Sequence, residues 1–227
     1  NWFFPWYVPP EQDERASEIR VRDLLAMSSG QAQDAAGAML DAQRGMGPRA
    51  FFSVPMAERP GLYFNYHNGN TMMLAEIHRR VTGEADMLRY LKPRLFDPLG
   101  ITDYEWSRMK DGTVVGSMGL ELRAEDLAKV AYLTLRNGVW QGERLIPLWW
   151  IKQATSCQTR QGNVIANDPI LALHVGADGW EDWEVGYGYQ LWMGRHDTYR
   201  FCGAFGQVAV VMPEKDLVFV AFSGGGG

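Results

Sequence analysis

The chain has 227 residues, 46% of them hydrophobic, enough for one large domain or two small ones with a real core, which excludes a disordered or fibrous protein. Lys and Arg total 22 against 27 Asp and Glu, a formal charge of -5 with no basic run. That argues against a nucleic-acid partner, because a phosphate backbone selects a clustered positive surface. No apolar run approaches the roughly 20 residues that a membrane-spanning helix needs.

The opening stretch NWFFPWYVPP lacks a basic n-region and a small-residue cleavage site, so it does not read as a signal peptide. An apolar, aromatic stretch makes a poor free terminus, and the far end, AFSGGGG, breaks off a strand into glycines. Both ends are expected to be those of a fragment. In IRVRDLLAMSS, residues 19–29, Val21, Leu24, Leu25 and Ser28 fall at helical spacing with Gly30 as C-cap, which predicts a short amphipathic helix. Residues 31–59, with Gly45, Gly47 and Pro48 near the middle, predict a helix and then an irregular crossing. After a turn at Pro60-Gly61, Met73, Leu74, Ile77 and Val81 make one face of a helix from Asn70 that Thr82-Gly83 ends.

EADMLRYLKPRLF predicts a second helix that Pro93 must end or bend, and DPLGI a turn. WSRMKDGTVVGSMG reads as a loop or short strand. RAEDLAKVAYLTLRNG is the clearest helix, closed by Asn137-Gly138, and Pro147 opens another short one over 147–156. Residues 157–182 are polar and aperiodic, a surface loop. GYGYQLWM, GQVAVVM and LVFVAFS are then β-branched and aromatic runs, with PEKD as a hairpin turn between the last two. Helices followed by consecutive antiparallel strands define an α+β domain, an antiparallel sheet flanked by helices.

The scattered reactive residues carry less. Cys157 and Cys202 are too few and too far apart for a metal site or a disulfide framework and are expected to be core thiols. His78 sits beside Arg79 and Arg80 on an exposed helix side and is expected to be solvated. His174 and His196 have no partners at ligand spacing, so no metal is implied. Trp149, Trp150, Trp180, Trp183 and Trp192 are expected in packing rather than in a substrate groove.

Five blocks, in order, resemble the serine β-lactamase and penicillin-binding-protein superfamily, most closely its class C-like esterases, amidases and D-aminopeptidases. IRVRDLLAMSSG resembles that family's ITVRHLLTMTSG, and PGLYFNYHNG its PG-x-x-F-x-Y-S-N loop. VTGEADMLRYLKPRLFDPLGI resembles the helix pair ending in PLGM. GLELRAEDLAKVAYLTLRNG is similar to the GL-x-x-T-x-x-DLAKFG helix, and GAFGQVAVVMPEKDLVFV to the final GGFGQ turn and hairpin. The resemblance implies a β-lactamase/transpeptidase-like single domain over residues 1–227, incomplete at both ends, and a serine hydrolase that acts on an ester, amide or peptide through an acyl-enzyme without a cofactor.

By position, the resemblance makes Tyr66 the proton-transfer residue and Asn68 a substrate ligand, with His67 as the variable middle residue. A proton relay through a tyrosine asks for a cation nearby to lower its pKa from about 10 or to stabilise its network. Phe201, Cys202 and Gly203 stand where the family has its substrate-binding Lys/His-Thr/Ser-Gly, and the resemblance makes the N–H of Ala204 an oxyanion donor, a role that does not depend on side-chain identity. The cation and hydroxyl of that motif are missing, which favours a neutral substrate unless Arg200 replaces the charge. The family's Ser-x-x-Lys nucleophile belongs upstream of Ile19 and is expected before residue 1. A literal match, Ser107 to Lys110, comes after Tyr-x-Asn and runs into Asp111-Gly112, so it reads as chance. Two other readings remain: a non-catalytic relative that binds a ligand or the cell wall, and a fragment active only with a complementing N-terminal segment. Family members are often exported, but the sequence does not fix the compartment.

Overall fold

The computed structural model describes residues 3–5, 13–43, 45–84, 86–159 and 185–223. Its first half is helical. Short helices α1 (Val21–Leu25), α2 (Ala36–Asp41) and α3 (Gly47–Phe52) gather around the longer α4 (Asn68–Thr82). Their apolar faces meet in one cluster containing Leu24, Met39, Phe51, Phe52, Met72 and Met73. Phe4, from the aromatic N-terminal stretch, is buried in the same cluster, 6.2 Å from Phe52.

Gly83 closes α4 in the left-handed region with φ 70°, which glycine adopts without a Cβ penalty. In α5 (Met87–Leu91), Asp86 caps the first turn through its carboxylate and the Leu88 N–H. The expected interruption at Pro93 takes the form of a widened π turn over Lys92–Phe96, since proline offers no N–H to an α ladder. A one-turn helix α6 (Asp97–Leu99) follows.

The second half is a sheet with one long helix. Hairpin β1 (Tyr104–Trp106) with β2 (Leu120–Leu122) leads into α7 (Ala124–Leu135), whose first turn carries Glu125 and Asp126 at the positive end of the helix dipole. A two-residue hairpin, β3 (Val139–Trp140) with β4 (Glu143–Arg144), and helix α8 (Leu148–Ala154) come next. The main sheet is β5 (Trp192–Met193), β6 (Tyr199–Gly203), β7 (Gln207–Met212) and β8 (Leu217–Phe222), antiparallel and in sequence order.

Strand register divides this sheet into two faces. Tyr199, Phe201, Ala209, Val211, Val218 and Val220 pack with Ala131 of α7. The opposite face carries Trp192, Arg200 and Cys202, then Val208 and Val210, and then Leu217 and Phe219, both exposed. A glutamine just before β5 adds hydrogen bonds between the sheet and the helical layer. The Gln190 N–H and Nε2 both donate to the Leu25 carbonyl at 3.0 Å, and its Oε1 accepts from Thr71 Oγ1 at 2.7 Å.

Several local expectations change. β6 was not marked by its composition, and GYGYQLWM yields only a two-residue strand plus isolated bridges at Tyr187. His78 is not solvated: both ring nitrogens are buried without a hydrogen-bond partner, and the ring stands edge-on to Tyr90 at 4.6 Å. Burial and the nearby Arg94 lower its pKa, so the ring is neutral. Of the expected core thiols, Cys157 is exposed and Cys202 half-buried. Trp180, Trp183, His174 and most of the expected 157–182 loop lie outside the described residues.

Candidate active site

The loop Phe64–Asn68 is held from below before it presents anything. Phe64 is fully buried, the Asn65 N–H donates to the Met27 carbonyl at 2.8 Å, and Asn65 Nδ2 donates to the Gln31 carbonyl at 3.1 Å. Every one of these bonds runs to the segment after α1, so the Ser-Ser-Gly turn and the Tyr-x-Asn loop form one unit. Tyr66, half-buried, then stacks on Trp192 at 5.5 Å and 19°, with Tyr187 edge-on at 6.4 Å. Met27, Phe64, Tyr187 and Trp192 form a buried cluster against which both Tyr66 and Cys202 pack.

Strand β6 supplies the facing wall. Cys202 shares a face with Arg200 and Trp192, and the Arg200 guanidinium pulls the thiol's pKa down. Gly203 ends the strand and Ala204 opens an exposed turn, Ala204–Gly206, in which Phe205 has φ 64°. The structure thus packs Tyr66 and Cys202 against one cluster, with Gly203 and Ala204 the next residues after Cys202 and Asn68 the first residue of α4 two positions beyond Tyr66. It sends Phe201 elsewhere. Alternation along β6 turns that ring to the opposite face, against α7, so its part in a substrate site is at most through its backbone.

The electrostatics of the pair were not foreseen. Tyr66 is held above its usual pKa by burial, with Cys202 and Asp34 adding to the effect, so it is an O–H donor at neutral pH. Burial pushes the Cys202 thiol up as well, against the pull of Arg200, which keeps it protonated and unreactive. Among the described residues, Cys202 and Asp34 are the groups that act on Tyr66, and neither supplies the cation that a phenolate would need.

Two residues at this loop escaped sequence reasoning. His67 is fully buried, its ring edge-on to Phe51 at 5.7 Å, and it stands at the N-cap position of α4. Asp34 lies just before α2 and accepts from the N–H groups of Asn68 at 3.0 Å, Gly69 at 2.9 Å and Ala36 at 2.9 Å, and from Asn68 Nδ2 at 3.0 Å. An aspartate 34 residues upstream gives no local signal; only the pattern of an acid before one helix and an unfilled N-terminus on another hints at it. Gly69 completes the fit, because a Cβ there would stand 2.8 Å from His67 Cε1 and 3.0 Å from Ala35 Cβ.

Ser107 and Lys110 are not on a helix. They sit on a small hairpin in which Arg108 bridges Val114, and both are exposed. Among the described residues no cluster of His, Cys, Asp and Glu is arranged to hold a metal ion, and no helix is long and apolar enough to cross a membrane.

A helical layer whose Tyr-x-Asn loop meets the end of an antiparallel strand defines the β-lactamase and penicillin-binding-protein fold. The chain belongs to the Beta-lactamase family, whose pattern it matches over residues 6–227. Among solved structures it is similar to a β-lactamase from Mycobacterium bovis, with 22% identity over 96% of this chain and 68% of that one and a TM-score of 0.62. Simvastatin synthase from Aspergillus terreus gives 19% identity, 90% and 62% coverage and a TM-score of 0.63. EstCE1, a hydrolase with promiscuous acyltransferase activity, gives 15%, 98% and 71%, and 0.68. These likenesses establish the fold. The chain spans 68%, 62% and 71% of the length of these three structures and 55% of a 6-aminohexanoate-dimer hydrolase from Bacillus anthracis that it also resembles. No curated protein sequence is matched.

Proposed function

We propose that this chain provides the Tyr66 and Asn68 side of a serine hydrolase site that acts on an ester or amide through an acyl-enzyme, with the nucleophilic serine upstream of residue 1. The observation that carries the reading is the stacking of Tyr66 on Trp192 beside Cys202, which sets the Tyr-x-Asn loop against the end of β6. In this reading the serine oxygen bonds to the acyl carbon. Its proton passes to Tyr66, which gives its own proton to the leaving alcohol or amine as the scissile bond breaks. A tyrosine kept protonated suits such a two-way relay better than a phenolate base does. Asn68 orients the acyl group, and the Ala204 N–H steadies the oxyanion. Water then releases the acyl group by the same route in reverse.

Arg200 shares the Cys202 face, so a cation stands close to the position where the family's motif has one. A substrate bearing a carboxylate therefore belongs in the comparison with neutral esters. The absence of the hydroxyl at Cys202 favours a second reading, a ligand-binding relative without turnover.

The test is mass spectrometry of the full-length protein after a fluorophosphonate probe and, separately, a reactive penicillin. Adduct on a serine upstream of residue 1, with turnover of a neutral ester lowered about 100-fold by Tyr66→Phe, is the expected result. Adduct on Ser107, or none anywhere, overturns the reading, and ligand binding without an adduct selects the non-catalytic one.

A further inference from the structure

The α4 N-terminus is unusual in what it leaves to a residue outside the helix. Three backbone N–H groups and one side-chain amide converge on the two oxygens of Asp34. Oδ2 takes both bonds from Asn68, and Oδ1 takes Gly69 and Ala36. His67 Nδ1 lies 3.3 Å from the same Oδ1. Both ring nitrogens also lie within reach of backbone N–H groups, Nε2 of Ala35 at 3.3 Å and Nδ1 of Asn70 at 3.1 Å, the latter shared with the His67 carbonyl at 3.0 Å. A neutral ring accepts at one nitrogen only, so a proton on Nδ1 leaves the Asn70 N–H to the carbonyl and turns the ring N–H to the carboxylate.

We infer that Asp34 is a positioning residue for the Tyr66–Asn68 site: by accepting from both Asn68 N–H and Asn68 Nδ2 while facing buried His67, it fixes which way the Asn68 amide points and where the loop sits. A carboxylate only accepts hydrogen bonds, so it admits one amide orientation, with Nδ2 toward Asp34 and Oδ1 away. One amide proton and Oδ1 then remain for a substrate. A buried histidine between Tyr66 and Asn68 makes the three residues move together, since its ring is locked by Phe51, Ala35 and Asp34. Asp34 touches neither substrate nor reacting atoms; it acts through Asn68 and His67. This inference rests on the function proposed above for Asn68.

The experiment is a double-mutant cycle of Asp34→Asn with Asn68→Ala in the full-length protein, read as kcat and KM for a neutral nitrophenyl ester, with melting curves to confirm folding. Asp34→Asn alone is expected to lower kcat/KM about 10- to 100-fold, the cost of a misplaced contact, mostly in kcat. In the Asn68→Ala background the same change is expected to cost less than about threefold, because the orientation it governed is already gone. Independent, multiplicative losses would assign Asp34 a structural role only and overturn the inference.

A measurement that needs neither turnover nor a variant is the side-chain amide resonance of Asn68 in wild-type protein. It is expected to shift as acid titrates Asp34, and an Asn68 amide that ignores that titration also overturns the inference. If the ester is not turned over while the resonance follows Asp34, the proposed function fails and the positioning role of Asp34 stands.

Discussion

Replacing Trp192 with alanine tests how the two layers are joined. The indole is 7% exposed and, among the described residues, meets Tyr66 stacked at 5.5 Å, Phe64 edge-on at 5.5 Å and Tyr187 edge-on at 5.1 Å. Burying a tryptophan removes up to about 250 Å² from water. At about 25 cal/mol per Å², that is worth about 6 kcal/mol as an upper figure. Alanine keeps part of this, and measured tryptophan or phenylalanine truncations in cores cost about 3–5 kcal/mol. Trp192→Ala is therefore expected to lose about 3–5 kcal/mol in equilibrium urea unfolding at unchanged denaturant slope. Trp192→Phe, which keeps a ring for Tyr66 to stack on, is expected to lose less than half of that. A cycle with Tyr66→Ala isolates the stack itself, expected at about 0.5–1.5 kcal/mol. A loss below about 1.5 kcal/mol for Trp192→Ala would refute the reasoning, because the cluster would then be a bystander rather than the joint that seats Tyr66.

Acid is expected to weaken the fold in two stages. His67 has its pKa lowered by burial, so the unfolded chain binds its proton first. The stability that the neutral ring contributes is present above about pH 6.5 and is lost as pH falls below it toward the depressed folded value. Asp34 is lowered too: burial opposes the shift, but His67 and three backbone N–H groups outweigh it, so its contribution is present above about pH 3.9 and is lost below that. Urea unfolding at steps from pH 8 to 3 is expected to show the first loss beginning near pH 6.5, with His78, whose pKa burial also lowers, adding to it, and a loss of undiminished size in His67→Gln would reject the assignment. For the thiols, Cys157 is exposed and Cys202 is half-buried with a raised pKa, so iodoacetamide in native protein is expected to alkylate Cys157 first by at least about tenfold. Equal rates on peptide mapping would contradict the burial of Cys202.

Helices were the legible part of the sequence. The apolar period from Met73 to Val81 and the Gly83 terminator gave α4 to within two residues, and Asn137-Gly138 gave the end of α7. These signals are local and periodic. Strand β6 was not visible by composition, since Tyr-Arg-Phe-Cys-Gly alternates a charge and a thiol on one face with rings on the other, and only its partners reveal it as a strand. The same alternation explains why Phe201, Cys202 and Gly203 could be placed along the strand by resemblance while the side to which Phe201 turns could not.

At the site, Tyr66 and Asn68 were readable because a short motif carries them. His67 was read as a filler between them, because nothing in three letters says that the middle side chain turns inward. Asp34 and Gln190 act across 34 and 119 residues of sequence, and such partnerships exist only after the layers have met. The high pKa of Tyr66 belongs to this second kind, being made by the burial that Trp192 and Tyr187 impose.

Strand β8 has a further consequence, for the chain's behaviour in concentrated solution. Among the described residues it pairs on one side only, and between Asp216 and Ser223 it reads Leu-Val-Phe-Val-Ala-Phe, six residues without a charge or a proline. Leu217, Phe219 and Phe222 are exposed along it. Soluble sheets commonly guard such a border with lysine, proline or a bulge, and none interrupts this one. An uncharged β-prone hexapeptide on a border that is unpaired among the described residues is a template for strand addition, by another part of the same polypeptide or by a second molecule.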